Sequence, residues 1–207
     1  MEKDEPSQRN VAYHLGVFAF LLGRRRQNTE LPESPTTEFP TNTASGNEVG
    51  ASNCIFVSYR RDESAGFAGR IFDRLVSNFS REQIFMDVDN IEPGLDFVEV
   101  LNERVGDCDV FLAVIGPNWT MAKDLNGQRR LDDPHDFVRI EIEAALTRRI
   151  RVVPLLIGGS LMPRPDELPE TMRALTRRQA LEISHAHFNR DVEVLIRALK
   201  RVRGDPE

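Results

Sequence analysis

Residues 53–64 read NCIFVSYRRDES, an apolar and β-prone run from Cys54 to Tyr59 that breaks abruptly into charge at Arg60. A short apolar run of this kind, followed by an amphipathic stretch over residues 65–79, predicts a buried strand feeding a helix. Four further runs repeat the pattern: residues 83–86 (QIFM), 110–115 (VFLAVI), 151–157 (RVVPLLI) and 180–183 (ALEI). Helical periodicity fills the gaps at about residues 97–106, 134–149, 167–175 and 191–202. Strands alternating with helices predict an α/β fold, a flavodoxin-like five-stranded parallel sheet flanked by helices. The first and third runs are the most continuously apolar, as central strands covered on both faces must be, and the second and fifth read as edges. The expected strand order is therefore 2-1-3-4-5, which places a ligand crevice at the switch point, outside the carboxyl ends of strands one and three.

The chain has 207 residues and 40% apolar content, enough for one ordinary core, and it shows no internal repeat. Residues 27–52 turn to Thr, Ser, Pro, Asn, Glu and Gly and are too poor in large apolar side chains to bury a core. The expected organisation is a flexible leader and linker over residues 1–52 and a folded domain over 53–203. Within the leader, residues 11–22 (VAYHLGVFAFLL) are apolar and are closed by Arg24, Arg25 and Arg26. That run falls short of the ~20 residues a bilayer span needs. With acids before it and arginines after it, the charge order is also the reverse of a secretory signal. An interfacial or partner-binding helix over residues 11–26 and a weakly ordered extension are the two readings, and the extension is favoured over membrane contact.

A formal charge of −6 disfavours nucleic acid as a partner, because that binding rests on a dense basic surface. Cys54 and Cys108 each flank a predicted strand, where free cysteines behave as small apolar residues, and their scarcity points to a reducing, cytoplasmic setting.

Chemistry is sought at the strand ends. Arg60 and Arg61 directly follow strand one, where two guanidinium groups suit phosphate oxygens; the alternative is a surface pair matched to Asp62, Glu63 or other helix-end acids. The same position lacks both the clustered acids of a phosphoacceptor receiver domain and the G-x-G-x-x-G of a dinucleotide fold. After strand two, residues 87–97 (DVDNIEPGLDF) form a long acidic loop broken at Pro93-Gly94. Asp87 and Asp89 lack calcium-loop spacing, so no metal is expected. Further on, Asp133 as N-cap with Pro134 at the first helical position starts the third helix. At 100° per residue, Phe137, Val138, Glu141, Ile142, Ala144 and Ala145 share one arc of that helix, with Arg139 and Glu143 opposite. A carboxylate on an apolar arc is costly unless paired or functional, and desolvation raises its pKa. Glu141 is thus either a buried ion-pair partner, with Arg60 or Arg61 as candidates, or a working acid, whereas Glu143 reads as a solvated acid. His14, His135, His185 and His187 have no partnered Ser or Cys, so no hydrolase triad assembles.

These motifs carry a resemblance. Residues 55–61 (IFVSYRR) resemble the box-one strand of TIR domains, and Phe85-Met86-Asp87 through Pro93-Gly94 resembles their BB loop. Residues 136–142 (DFVRIEI) resemble the W-x-x-x-E helix of NAD+-cleaving TIR enzymes, with Phe137 standing where Trp is usual. The G-P-x-W at 116–119, the RRLDDP at 129–134 and the strand at 152–156 are similar to bacterial members. The resemblance implies an NAD+ glycohydrolase, activated by self-assembly and placed in bacterial immunity or signalling, with NAD+ as substrate and no cofactor. Glu141 would be catalytic, and Ser58, Tyr59, Arg60, Arg61, Phe85, Trp119 and Phe137 would contact substrate. Asp87, Asp89, Ile91, Pro93, Gly94 and Leu95 would serve assembly, and an upstream sensor protein would be a partner. Two rivals stand beside it: a non-catalytic adaptor working through BB-loop contacts, and an enzyme resembling nucleoside deoxyribosyltransferases.

Overall fold

The computed structural model describes residues 54–86, 104–106 and 108–204. Five strands, β1 (Ile55–Ser58), β2 (Ile84–Met86), β3 (Val110–Ile115), β4 (Arg151–Ile157) and β5 (Leu181–Ile183), form one sheet in the order β2-β1-β3-β4-β5. Every pairing is parallel, and β1 sits between β2 and β3 with Val57 opposite both Met86 and Leu112. The expected fold class and strand order are those observed.

Alternating side chains divide the core between the two faces of the sheet. On one face Phe56, Phe111, Ala113 and Ile115 pack with Val138, Ile142 and Ala145 of α2 (Phe137–Thr147), and the rings of Phe56 and Phe111 stack at 5.3 Å. On the other, Ile55, Val57, Leu112 and Val114 pack with Ile71 and Leu75 of α1 (Arg61–Val76) and with Val192, Leu195 and Leu199 of α3 (Phe188–Arg203). All of β1 and β3 is buried, which is why those two runs lack any polar alternation.

The helix limits differ from expectation for local reasons. α1 starts at Arg61 rather than 65, because the Arg60 carbonyl already accepts from Ser64 N at 2.8 Å and Asp62 and Glu63 suit a first turn. α2 begins at Phe137, and Asp136, not Asp133, is its N-cap, accepting from Arg139 N at 3.1 Å. Asp133 instead closes a turn through His135 N at 2.8 Å, so Pro134 lies outside the helix. The stretch expected as a helix over 167–175 is a 3₁₀ segment, Glu170–Arg177, entered from Pro169. α3 begins three residues before the expected 191, at Phe188. Residues 104–106 are helical, and the rest of the helix expected over 97–106 lies outside the described residues.

The reading of the cysteines is overturned. Cys54 and Cys108 stand just before β1 and β3, whose parallel pairing brings their Cα atoms to 4.3 Å, and the two sulfurs are bonded. Neither is a free apolar residue, and the cysteines lend no support to a reducing compartment. No described helix is long and apolar enough to cross a membrane.

Candidate active site

At the carboxyl ends of β1 and β3 the structure builds a buried charge centre around a residue that periodicity had not singled out. The Arg60 guanidinium donates to both carboxylate oxygens of Asp136, Nη1 to Oδ2 at 3.0 Å and Nη2 to Oδ1 at 3.1 Å. Arg130 Nε donates to the same Oδ2 at 3.1 Å, and its Nη1 reaches Asp62 at 3.3 Å. Asp136 Oδ1 also accepts the Arg139 amide that starts α2. One carboxylate thus joins the end of β1, the segment leading out of β3, and the first turn of a helix, and two guanidinium groups compensate its burial. Arg60 lies 5.7 Å over the ring of Trp119, itself 1% exposed.

This arrangement revises the reading of the arginine pair. Arg60 is 2% exposed and its fork is engaged by Asp136, whereas Arg61 lies at the exposed first position of α1. The two guanidinium groups therefore do not form one open anion receptor, nor is Arg60 a surface residue. Asp136 was missed because Asp133-Pro134 offered a stronger helix-start signal; the cue available was an Asp three residues before Arg139, directly preceding the apolar arc.

Glu141 is 4% exposed, on the same face of α2 as Val138, Ile142, Ala144 and Ala145, as helical phase predicts. It sits five residues beyond Asp136, so the charge centre that holds the N-terminus of α2 also sets where this carboxylate is carried. Glu143 is not simply solvated: half-buried, it accepts from Arg139 Nε at 2.7 Å and from the hydroxyl of Thr171, tying α2 to the 3₁₀ segment.

Of the other expected contacts, Ser58 is buried with a hydroxyl that has no hydrogen-bond partner among the described residues, and Tyr59 and Phe137 are half-buried. Phe85 is half-buried on the α2 face of the sheet, with the Arg104 guanidinium 5.4 Å over its ring. Asp87, Asp89, Ile91, Pro93, Gly94 and Leu95 lie outside the described residues.

A second carboxylate crosses the switch point. Glu63, in the first turn of α1, accepts from the Asn118 amide, and its Oε2 is buried without a hydrogen-bond partner among the described residues. Its carboxyl carbon would stand 2.6 Å from a Cβ at position 116, so the space over Gly116 belongs to Glu63. The Ser160 hydroxyl donates to Ile115 O at 2.6 Å and closes the β4 loop onto the end of β3. No group of three or more potential metal-ligating side chains occurs among the described residues.

A parallel sheet in the order β2-β1-β3-β4-β5 with charged side chains gathered at its switch point defines a flavodoxin-like α/β module. The sequence matches the TIR domain family over residues 55–196, and the chain belongs to that family. Among curated relatives, it is 27% identical over 147 residues to NAD(+) hydrolase sarm1 of Drosophila melanogaster and 28% identical over 147 residues to NAD(+) hydrolase SARM1 of Danio rerio. Each alignment covers 70% of this chain, but the chain spans only 10% and 19% of those two relatives. Among solved structures, the TIR domains of the activated Roq1 resistosome superpose with a TM-score of 0.50 at 13% identity, covering 71% of this chain and 96% of that one, a likeness of fold.

Proposed function

We propose that the chain is an NAD+ glycohydrolase, with Glu141 as the carboxylate that stabilises the reacting ribosyl group. The observation that carries this reading is the burial of Glu141, 4% exposed on an otherwise apolar helix face anchored at its start by Asp136. The two NAD(+) hydrolase relatives, aligned over 70% of the chain, support the same substrate.

In the proposed reaction the bond between nicotinamide and C1′ of ribose breaks and its electron pair returns to the pyridine nitrogen. The leaving group changes from a cationic pyridinium to neutral nicotinamide, so no general acid has to protonate it. Positive charge develops on the ribose, and a fixed carboxylate at low exposure stabilises it, as in glycoside hydrolysis. Water adding to C1′ and losing a proton yields ADP-ribose; attack by a ring nitrogen of the adenine instead yields a cyclic isomer. Arg61, at the exposed start of α1, is assigned to substrate capture, and Arg60 to holding Asp136. The proposal includes a folded unit over 53–203, self-association through residues 87–95 and an upstream partner that triggers it in bacterial immunity.

A second reading, the adaptor without catalysis, is favoured by one observation: the Arg60 fork, expected on the substrate, is engaged by Asp136. Incubating the purified chain and Glu141→Gln with NAD+ and resolving the products by chromatography separates the two. Nicotinamide release by the parent and not by the variant is expected; no release at any protein concentration establishes the adaptor.

A further inference from the structure

The corner where β5 runs into α3 carries a cluster that the proposed chemistry does not use. Arg70 of α1 and residues 185–190 line an open groove of about 320 Å3. Two arginines, Arg70 and Arg190, and two histidines, His185 and His187, line it, and no carboxylate is among its lining residues. All four side chains are exposed.

The pairing around this groove is what distinguishes it. One turn along the same seam, Arg74 of α1 is matched by Glu193 of α3 at 3.2 Å. Arg70 has no ion pair or hydrogen bond among the described residues and instead lies 3.7 Å over the ring of Phe188; Arg190 likewise has neither. Asp191, the following residue, is turned to the amide and hydroxyl of Ser184, each at 2.9 Å. In a chain of net charge −6, two guanidinium groups on one groove with no carboxylate in its lining focus a positive potential that an anion relieves, with Asp191 acting on Arg190 from outside that lining.

The shape narrows the ligand. A volume of about 320 Å3 lies at the small end of the range for small-molecule sites, roughly 300–1,000 Å3. Guanidinium forks match phosphate oxygens in bidentate geometry. The His185 ring, backed by Phe67 with centroids 4.2 Å apart, adds an exposed planar surface on which a base stacks. We propose that this groove binds a nucleoside mono- or diphosphate, with Arg70 and Arg190 on the phosphate and His185 beneath the base. The site is independent of NAD+ cleavage at Glu141, because α1 and α3 cover one face of the sheet and α2 the other.

Calorimetric titration of the full chain with AMP, ADP, adenosine, inorganic phosphate and an oligoglutamate peptide tests it. AMP and ADP are expected to bind saturably, inorganic phosphate at least about tenfold more weakly, and adenosine not measurably. Arg70→Ala and Arg190→Ala should each weaken AMP roughly tenfold to a hundredfold, the loss of a charge-assisted contact, with unchanged thermal melts. Glu141→Gln should keep AMP binding, which separates this site from the candidate active site. The proposal is overturned if neither nucleotide binds saturably or if the Arg70→Ala/Arg190→Ala double variant binds AMP unchanged. Phosphate binding as tightly as AMP, or the peptide binding more tightly, also overturns it.

Discussion

Arg60 and Asp136, 76 positions apart in sequence, meet through two hydrogen bonds of 3.0 and 3.1 Å between side chains only 1% and 2% exposed. The pair fastens the end of a central strand to the first turn of the helix that carries Glu141. Its burial makes it sensitive to removal of either partner, since the remaining charge cannot be rehydrated.

Arg60→Ala is therefore expected to destabilise the domain by about 3–5 kcal/mol, the usual cost of breaking a buried pair. In a domain of this size that lowers the melting temperature by on the order of 10 °C. Arg60→Lys should recover little, because an ammonium cannot reproduce the fork. Arg61→Ala should stay within ~0.5 kcal/mol of the parent, and under the proposed function it raises KM for NAD+. Thermal melts of the three variants check this; equal stability of Arg60→Ala and the parent would contradict the assignment.

Glu141→Gln and Glu143→Gln should separate chemistry from structure. The first is expected to abolish nicotinamide release while the fold is retained. The second removes charge from the contact with Arg139 and Thr171, and should keep release while lowering stability by roughly 0.5–1 kcal/mol. Release rates and melts on the same preparations decide, and parallel loss of release in both would remove Glu141 from its role.

Gly116→Ala should cost about 1 kcal/mol, because the new methyl displaces the Glu63 carboxylate from its hydrogen bond with the Asn118 amide. In a Glu63→Ala background the same substitution should cost well under half as much. A double-mutant cycle measured by denaturant unfolding gives the coupling, and additivity would show that Gly116 answers to something other than Glu63.

Acid stability should depend on Asp191. The Ser184 amide, chiefly, holds its carboxyl below the ordinary carboxylate range against an opposing effect of burial, with the Ser184 hydroxyl, His187 and Arg190 adding to the lowering. The unfolded chain then binds the proton more readily than the folded one. The contribution is complete above the unfolded value near ~3.9 and is lost as pH falls through the lower folded value. Asp191→Asn should accordingly flatten the stability profile below about pH 5. Melting temperatures from pH 2 to 7 test the slope, and superimposable profiles would refute it.

The sequence by itself determined the strands, their order and the side of α2 on which Glu141 lies. Each follows from local periodicity: unbroken apolar runs mark β1 and β3 as covered on both faces, and a 100° step places Glu141 with Val138 and Ile142. Only the tertiary structure decided partners. Asp136 takes Arg60 from 76 residues away, Glu63 reaches Asn118 across 55, and Cys54 meets Cys108 across 54. None of these has a periodic signature, because each depends on strands β1 and β3 lying side by side. The N-cap of α2 shows the same limit at short range. Asp133-Pro134 satisfies every local rule for a helix start, yet Asp136 takes the position because its carboxylate also has two arginines to satisfy, one of them delivered by the sheet.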